Sequence, residues 1–301
     1  MIGKILPVRC GGTLTYHVLG DRRAPAVLVC NAPGMSGKFW THIVRRLKDD
    51  FYVICPEYRG FPDTRWQLNE QTAGFDLLVG DALQILAAEQ VTEYVCLSWC
   101  LGAKIALALA QQQAPRMREM IALNMAFRRS DTAVKGSFAQ LIWGLLQRLD
   151  QDDLSIERVL RIMAGVGAIP TQDFLSVAEA DESTALDLYD LLDAESNFAS
   201  LAFYMIDTSE GLRNYLRLYQ SFSAENGAAR LAQLALPVHI LSGGRDQIVR
   251  YSAEDRALFG RSRNISEKIF ERGSHFMLIE DGELLGREIG AIMKGSLAHV
   301  G

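Results

Sequence analysis

Three side chains whose chemistry suits a nucleophile, an acid and a base each lie in a loop or turn within a few residues of the end of a predicted β-strand. They are Cys100, Asp246 and His275. A thiol beside an imidazole gives up its proton readily, and a carboxylate on the other ring nitrogen fixes the tautomer of that imidazole. The carboxyl ends of parallel strands meet at one edge of a sheet, so strands ending at these residues would bring them together.

The sequence around the thiol predicts a tight turn from a strand into a helix. It reads Ser98-Trp99-Cys100-Leu101-Gly102, with a small residue two positions before the cysteine and another two positions after it. Small residues at these positions let the strand and the helix approach each other, and the residue between them takes a strained backbone conformation. The pattern is short, and a buried cysteine in an ordinary strand–helix turn is the alternative.

The turn and the chain order Cys100, Asp246, His275 resemble the nucleophile elbow and the triad order of the α/β-hydrolase family, with cysteine where serine is usual. The loop after Leu241 looks like the one that carries the family's acid, and the loop at His275 follows the last predicted strand, where the family places its histidine. The remaining histidines, at positions 17, 42, 239 and 299, fit no such place. The resemblance implies a catalytic triad of these three residues.

Short apolar runs alternate with helical patterns over residues 1–126 and again over 235–301, which predicts a mostly parallel sheet with helices on both faces. Between them, residues 127–234 have apolar side chains at helical spacing and no convincing strand. We therefore predict an α/β core made of the two outer segments and an inserted all-helical cap at 127–234. The resemblance, which covers nearly the whole chain, implies such a cap between the sixth and seventh core strands.

The individual elements follow from the periodicity of apolar residues. The predicted strands are Thr13–Leu19, Ala26–Cys30, Tyr52–Cys55, Tyr94–Leu97, Met120–Leu123, Val238–Ser242 and Ser266–Phe270. The predicted helices of the core are Gly37–Lys48, Thr72–Glu89, Ala103–Gln112, Ser252–Phe259 and Gly282–Leu297.

The loop that should complete an oxyanion hole departs from the family's His-Gly-x pattern. Asn31 stands in place of the histidine, and Pro33 stands at the residue whose backbone N–H should bind the oxyanion, although proline has none. Either the loop is shifted, so that Gly34 or Met35 donates beside the Leu101 N–H, or Leu101 donates alone. Losing one donor typically costs ~10²–10³ in rate, which favours the shifted loop.

The same segments supply the residues that we expect to contact a substrate. Asn31 and Pro33 lie in the altered loop, and Trp99 lies beside the thiol, where it either shapes an acyl pocket or packs beneath it. A few of the aromatic and methionine side chains of the cap should line the rest of a pocket suited to an apolar acyl chain.

Cysteine favours particular substrates because a thiolate is a good leaving group, so its attack on an ordinary ester or amide tends to reverse. We expect an activated acyl donor, such as a thioester or a lactone, and a thioester intermediate at Cys100. Three functions remain open: a thioesterase or esterase, an acyltransferase that passes the acyl group to an amine, alcohol or thiol, and a binding protein that has lost efficient catalysis.

The composition excludes several partners. The 301 residues carry 31 basic and 36 acidic side chains, a net charge of −5, without the basic face that nucleic acid requires. The sequence shows neither a membrane-spanning run nor a metal-binding cluster, and it implies no cofactor. The five cysteines are an odd number and lack a CxxC motif, which indicates buried thiols and a cytoplasmic protein. The expected partner is a small acyl substrate, free or bound to CoA or a carrier protein. The oligomeric state is left open.

Overall fold

A computed structural model of the protein describes residues 2–8, 12–61, 68–69, 71–112, 114–129, 209–246 and 248–298. Most of the predicted cap, 127–234, lies outside the described residues, so the division into core and cap stays a prediction. The described part of that segment ends in two helices, α4 (Ser209–Ala224) and α5 (Ala228–Gln233), directly before the core resumes.

Eight strands form one sheet in the order β1-β2-β4-β3-β5-β6-β7-β8. β2 is antiparallel to both of its neighbours, and every other pair is parallel. The mostly parallel sheet predicted from the sequence is confirmed. The strands are β1 (Ile2–Pro7), β2 (Thr13–Leu19), β3 (Ala26–Cys30), β4 (Tyr52–Pro56), β5 (Glu93–Trp99), β6 (Arg116–Leu123), β7 (Val238–Gly243) and β8 (Ile265–Phe270).

Helices flank this sheet, and the predicted core helices are all present with ends that differ by a few residues. The first begins as a 3₁₀ turn, Gly37–Trp40, before the α-helix. The remaining helices are α1 (Thr41–Leu47), α2 (Phe75–Ala88), α3 (Gly102–Leu109), α6 (Ala253–Arg261), α7 (Met277–Glu280) and α8 (Gly282–Ala298). α1 packs on α8, and α2 packs on α3.

The strand that the sequence analysis missed is β1, at the edge of the sheet. Its side chains are exposed or half-buried, and Ile2 and Ile5 are each 68% exposed. An edge strand with one neighbour buries no continuous face, so its sequence lacks the apolar run or clean alternation that identified the central strands.

The central strands carry buried, unpaired thiols. Cys30, Cys55 and Cys96 are each at most 4% exposed, and the four described cysteines, which include Cys100, are free. The Sγ atoms of Cys30 and Cys96 lie 3.6 Å apart in neighbouring strands. The predicted pattern of buried thiols is confirmed for these residues.

Gly102 fixes how closely α3 approaches β3. A Cβ atom at this position would lie 2.1 Å from the Cys30 carbonyl oxygen and 2.4 Å from that of Asn31. Both atoms belong to the backbone and cannot turn away. We expect Gly102→Ala to lower the free energy of unfolding by about 3 kcal/mol, measured by urea denaturation.

The matched control is Gly80→Ala in the middle of α2. A Cβ atom there would meet nothing within 4 Å. Alanine is the better helix former, so this variant should gain about 0.5–1 kcal/mol. Equal stability of the two variants would contradict the close approach at Gly102.

Candidate active site

Cys100 occupies the turn between β5 and α3 in a left-handed conformation, with φ of 51°. Its N–H donates to the Leu123 carbonyl oxygen at 3.1 Å, and its own carbonyl oxygen accepts from the N–H groups of Ala103 at 3.2 Å and Ala126 at 3.1 Å. A non-glycine residue rarely adopts such a φ, and the surrounding hydrogen bonds hold it there. On either side, Ser98 is fully buried and Gly102 is in close contact with β3.

The carboxylate of Asp246 holds the ring of His275. The Oδ2 atom lies 2.8 Å from His275 Nδ1, and Oδ1 accepts from the N–H groups of Ile248 at 2.7 Å and Val249 at 2.9 Å. Both carboxylate oxygens are therefore committed, one to the loop backbone and one to the imidazole. This arrangement places a proton on Nδ1 and leaves Nε2 for the other partner of the ring.

That other partner is Cys100, whose thiol is within hydrogen-bonding reach of His275. Burial alone would lower the pKa of His275, but the charges of Asp246 and the Cys100 thiolate, with their hydrogen bonds, raise that pKa from 6.5 to about 10. Cys100 is 9% exposed, Asp246 8% and His275 6%. The structure thus brings together the three residues singled out in the sequence, in a buried site at the carboxyl edge of the sheet.

Asn124 is a residue of this site that the sequence analysis did not identify. It follows β6 with φ of 43°, and its Nδ2 donates to the carbonyl oxygens of Ser274 at 3.0 Å and His275 at 3.1 Å. Its Oδ1 accepts from the Gly243 N–H at 2.7 Å. Asn124 therefore ties the loop of the acid to the loop of the histidine. A polar residue directly after an apolar strand was the available signal.

Trp99 packs against the histidine. The side chain is 1% exposed, and its Nε1 donates to the His275 carbonyl oxygen at 3.1 Å. The ring lies 5.2 Å from the His275 ring and 5.6 Å from the Phe39 ring, centroid to centroid. These contacts position the imidazole, and contact between Trp99 and a substrate stays a prediction.

The altered loop forms a tight turn at Pro33-Gly34. The Met35 N–H donates to the Ala32 carbonyl oxygen at 3.2 Å, and Gly34 has φ of 80°, as in a type II turn. Of the two donors predicted here, the Met35 N–H is already committed to the turn. No backbone carbonyl of the described residues accepts from the Gly34 N–H or from the Leu101 N–H.

Asn31 holds this turn in place. Its Nδ2 donates to the carbonyl oxygens of Met35 at 2.6 Å and Ser36 at 3.0 Å, and its Oδ1 accepts from the Ala32 N–H at 3.0 Å and from Trp40 Nε1 at 3.2 Å. These four bonds use the full capacity of the amide. They assign Asn31 a supporting role, and the predicted contact with substrate would have to come through its neighbours.

Neither a metal-binding cluster nor a membrane-spanning helix is found among the described residues. No three His, Cys, Asp or Glu side chains in the described ranges are grouped so that they could hold a metal ion. No helix in that part of the chain combines the length and apolar character needed to cross a bilayer.

The chain is similar to known hydrolases in sequence and in structure. A curated relative, "Putative carbamate hydrolase RutD" from Enterobacter cloacae, is 23% identical over 262 residues, 86% of this chain and 88% of the relative. An esterase from Exiguobacterium antarcticum has a TM-score of 0.71 and 16% identity, with 97% of this chain and 100% of the esterase covered. An enol-lactonase from Burkholderia xenovorans LB400 has a TM-score of 0.68 and 17% identity, over 97% and 100% of the two chains. These structural likenesses establish the fold.

The sequence model of the Alpha/beta hydrolase family matches residues 27–287 of this chain. The matched range includes the turn at Cys100 and the loops of Asp246 and His275. The chain therefore belongs to the alpha/beta hydrolase family.

Proposed function

We propose that this chain is a thioesterase or esterase that acts on activated acyl substrates through a covalent intermediate on Cys100. The observation that carries the proposal is the position of the His275 ring between the Asp246 carboxylate and the Cys100 thiol. An imidazole held in this way accepts the proton of the thiol and keeps the resulting charges paired. A protein that only bound a ligand would not need such an arrangement.

The reaction proceeds in two steps. The Cys100 thiolate attacks the acyl carbon, a C–S bond forms, and the leaving group departs with the proton that His275 holds. Water then attacks the thioester carbon while His275 removes one of its protons. The C–S bond breaks, the carboxylic acid is released, and the proton returns to the pair formed by His275 and Cys100.

Backbone N–H groups would stabilise the oxyanion of each step. The Leu101 N–H stands at the start of α3, where the helix dipole favours negative charge, and the Gly34 N–H lies in the facing turn. Because neither donates to a backbone carbonyl among the described residues, both suit this role better than the Met35 N–H.

The class of substrate follows from the leaving groups. Attack by a thiolate goes forward when the other leaving group is at least as good, as in thioesters and enol lactones. The likeness to an enol-lactonase and an esterase is in keeping with this class. The thioester donor could be free or carried on CoA or a carrier protein.

Acyl transfer is the second candidate, and burial of the site favours it. Cys100 and His275 are each at most 9% exposed, and a thioester shielded from water survives until an amine, alcohol or thiol arrives. Product analysis with and without such acceptors separates the two functions. Free acid as the product under every condition would rule out transfer.

The covalent intermediate is tested by intact-mass spectrometry after incubation with a panel of acyl thioesters. We expect the wild-type protein to gain the mass of one acyl group and Cys100→Ala to gain none. Cys96→Ala, which removes a buried thiol from the same strand, should be acylated like the wild type. An adduct that persists in Cys100→Ala would contradict the proposal.

A further inference from the structure

Helix α4 is fixed across the carboxyl edge of the sheet by contacts along its length. Near its start, Asn214 Nδ2 donates to the Gly60 carbonyl oxygen at 3.3 Å. Near its end, the Phe222 carbonyl oxygen accepts from the buried Lys104 Nζ at 2.8 Å, and the Phe222 ring packs edge-on against Tyr58 at 5.4 Å. The side chains between these anchors are therefore held at defined positions above the site.

One of them, Tyr215, lies against the turn that should complete the oxyanion hole. A Cβ atom on Gly34 would be 2.4 Å from Tyr215 Cδ2 and 2.7 Å from its Cε2, so the ring packs directly on the glycine. Tyr215 is 6% exposed, and none of the described residues forms a hydrogen bond with its hydroxyl. The hydroxyl is therefore available to donate a hydrogen bond to a bound substrate.

The charge of Cys100 acts on this hydroxyl as well. Burial raises the pKa of Tyr215 well above its ordinary value, and the neighbouring Tyr219 and the Cys100 thiolate raise it further. The raised pKa keeps the proton on Tyr215 at neutral pH. Toward a negative charge that forms beside Cys100, it can act only as a hydrogen-bond donor.

We propose that the Tyr215 hydroxyl donates a hydrogen bond to the oxyanion formed when Cys100 is acylated, in addition to the N–H groups of Leu101 and Gly34. This inference rests on the proposed function. As the C–S bond forms, the electron pair of the carbonyl π bond moves to oxygen, and Tyr215 stabilises that charge without transferring its proton. When the leaving group departs, the electron pair on the oxygen re-forms the carbonyl π bond. A donor on α4 would strengthen an oxyanion site whose loop carries proline at position 33.

The test is the acylation rate of Tyr215→Phe with p-nitrophenyl acetate, followed as the burst of p-nitrophenolate and as acyl-Cys100 by intact mass. Phenylalanine keeps the ring on Gly34 and removes only the hydroxyl. We expect acylation to slow by ~10²–10³, the usual effect of losing one oxyanion donor. Tyr219→Phe, the same change one helical turn further on, should slow it less than threefold.

A second readout separates stabilisation of the oxyanion from packing. A trifluoromethyl ketone forms a hemithioketal with Cys100, and the oxygen of this adduct is negatively charged. The carbonyl oxygen of a bound substrate carries no such charge before it is attacked. Tyr215→Phe should weaken inhibition by the trifluoromethyl ketone at least tenfold, and it should leave the KM for p-nitrophenyl acetate within twofold of the wild-type value. Equal acylation rates of Tyr215→Phe and wild type, or an equal loss in Tyr219→Phe, would overturn the role of Tyr215. Absence of acyl-Cys100 in the wild type would instead overturn the proposed function.

Discussion

Replacing Cys100 with alanine is expected to lower kcat for acyl thioesters by about 10⁶, the size of effect seen when a protease loses its nucleophile. Alanine fits the buried turn, so the pairing of Asp246 with His275 and the N–H donors should remain. What is lost is the C–S bond, and with it the division of one difficult step into two. The rate is measured as free thiol released, with enough enzyme and a long enough incubation to detect the residual reaction.

The matched control for this prediction is Cys96→Ala. Cys96 lies on β5 four residues before the nucleophile, is fully buried, and has its Sγ 3.6 Å from that of Cys30. Its loss removes the same atoms from the same core but leaves the site intact, so kcat should stay within a few-fold of wild type. If Cys100→Ala kept a tenth of the wild-type kcat, the thiol could not be the nucleophile.

The elements that carry Cys100, Asp246 and His275 could be predicted from the sequence because their constraints are local. A turn that joins a buried strand to a helix at close range demands small residues at fixed spacing, and the contact of Gly102 with the Cys30 and Asn31 carbonyl groups shows why. The strands β5, β7 and β8 are apolar or alternating runs, and each ends within five residues of the side chain that it carries to the site. Chain order then distinguished His275 from the other histidines.

Residues whose roles depend on distant contacts could not be identified in this way. In the sequence, Tyr215 is one of several aromatic residues with helical spacing. Only the packing of α4 brings its ring into contact with Gly34. Asn124 bonds to residues more than a hundred positions away. Asn31 was expected to contact substrate, whereas its four internal hydrogen bonds depend on how the loop folds back on itself, which residue type alone does not specify.

Asp246→Asn is expected to lower kcat by about 10⁴, because the amide can donate to His275 Nδ1 and thereby select the wrong tautomer. The ring would then carry its proton on Nε2, facing Cys100, and could no longer accept the proton of the thiol. The variant also removes the charge of Asp246, which contributes most to raising the pKa of His275 to about 10. The pH dependence of kcat/KM should therefore change together with its magnitude.

In the wild type, departure of the leaving thiol needs the proton of the His275 imidazolium, so kcat/KM should fall as pH rises through about 10. The raised pKa of His275 also stabilises the fold. This stabilisation is fully present below pH ~6.5, the pKa of the unfolded histidine, and it is lost between there and pH 10 at up to about 1 kcal/mol per pH unit.

In Asp246→Asn, the alkaline fall of kcat/KM and the loss of stability should both move to lower pH. Asp255→Asn, at a carboxylate that is equally buried but caps α6, should weaken the fold without moving the alkaline limb of kcat/KM. An alkaline limb that stays near pH 10 in Asp246→Asn would show that Asp246 does not set the charge of the imidazole.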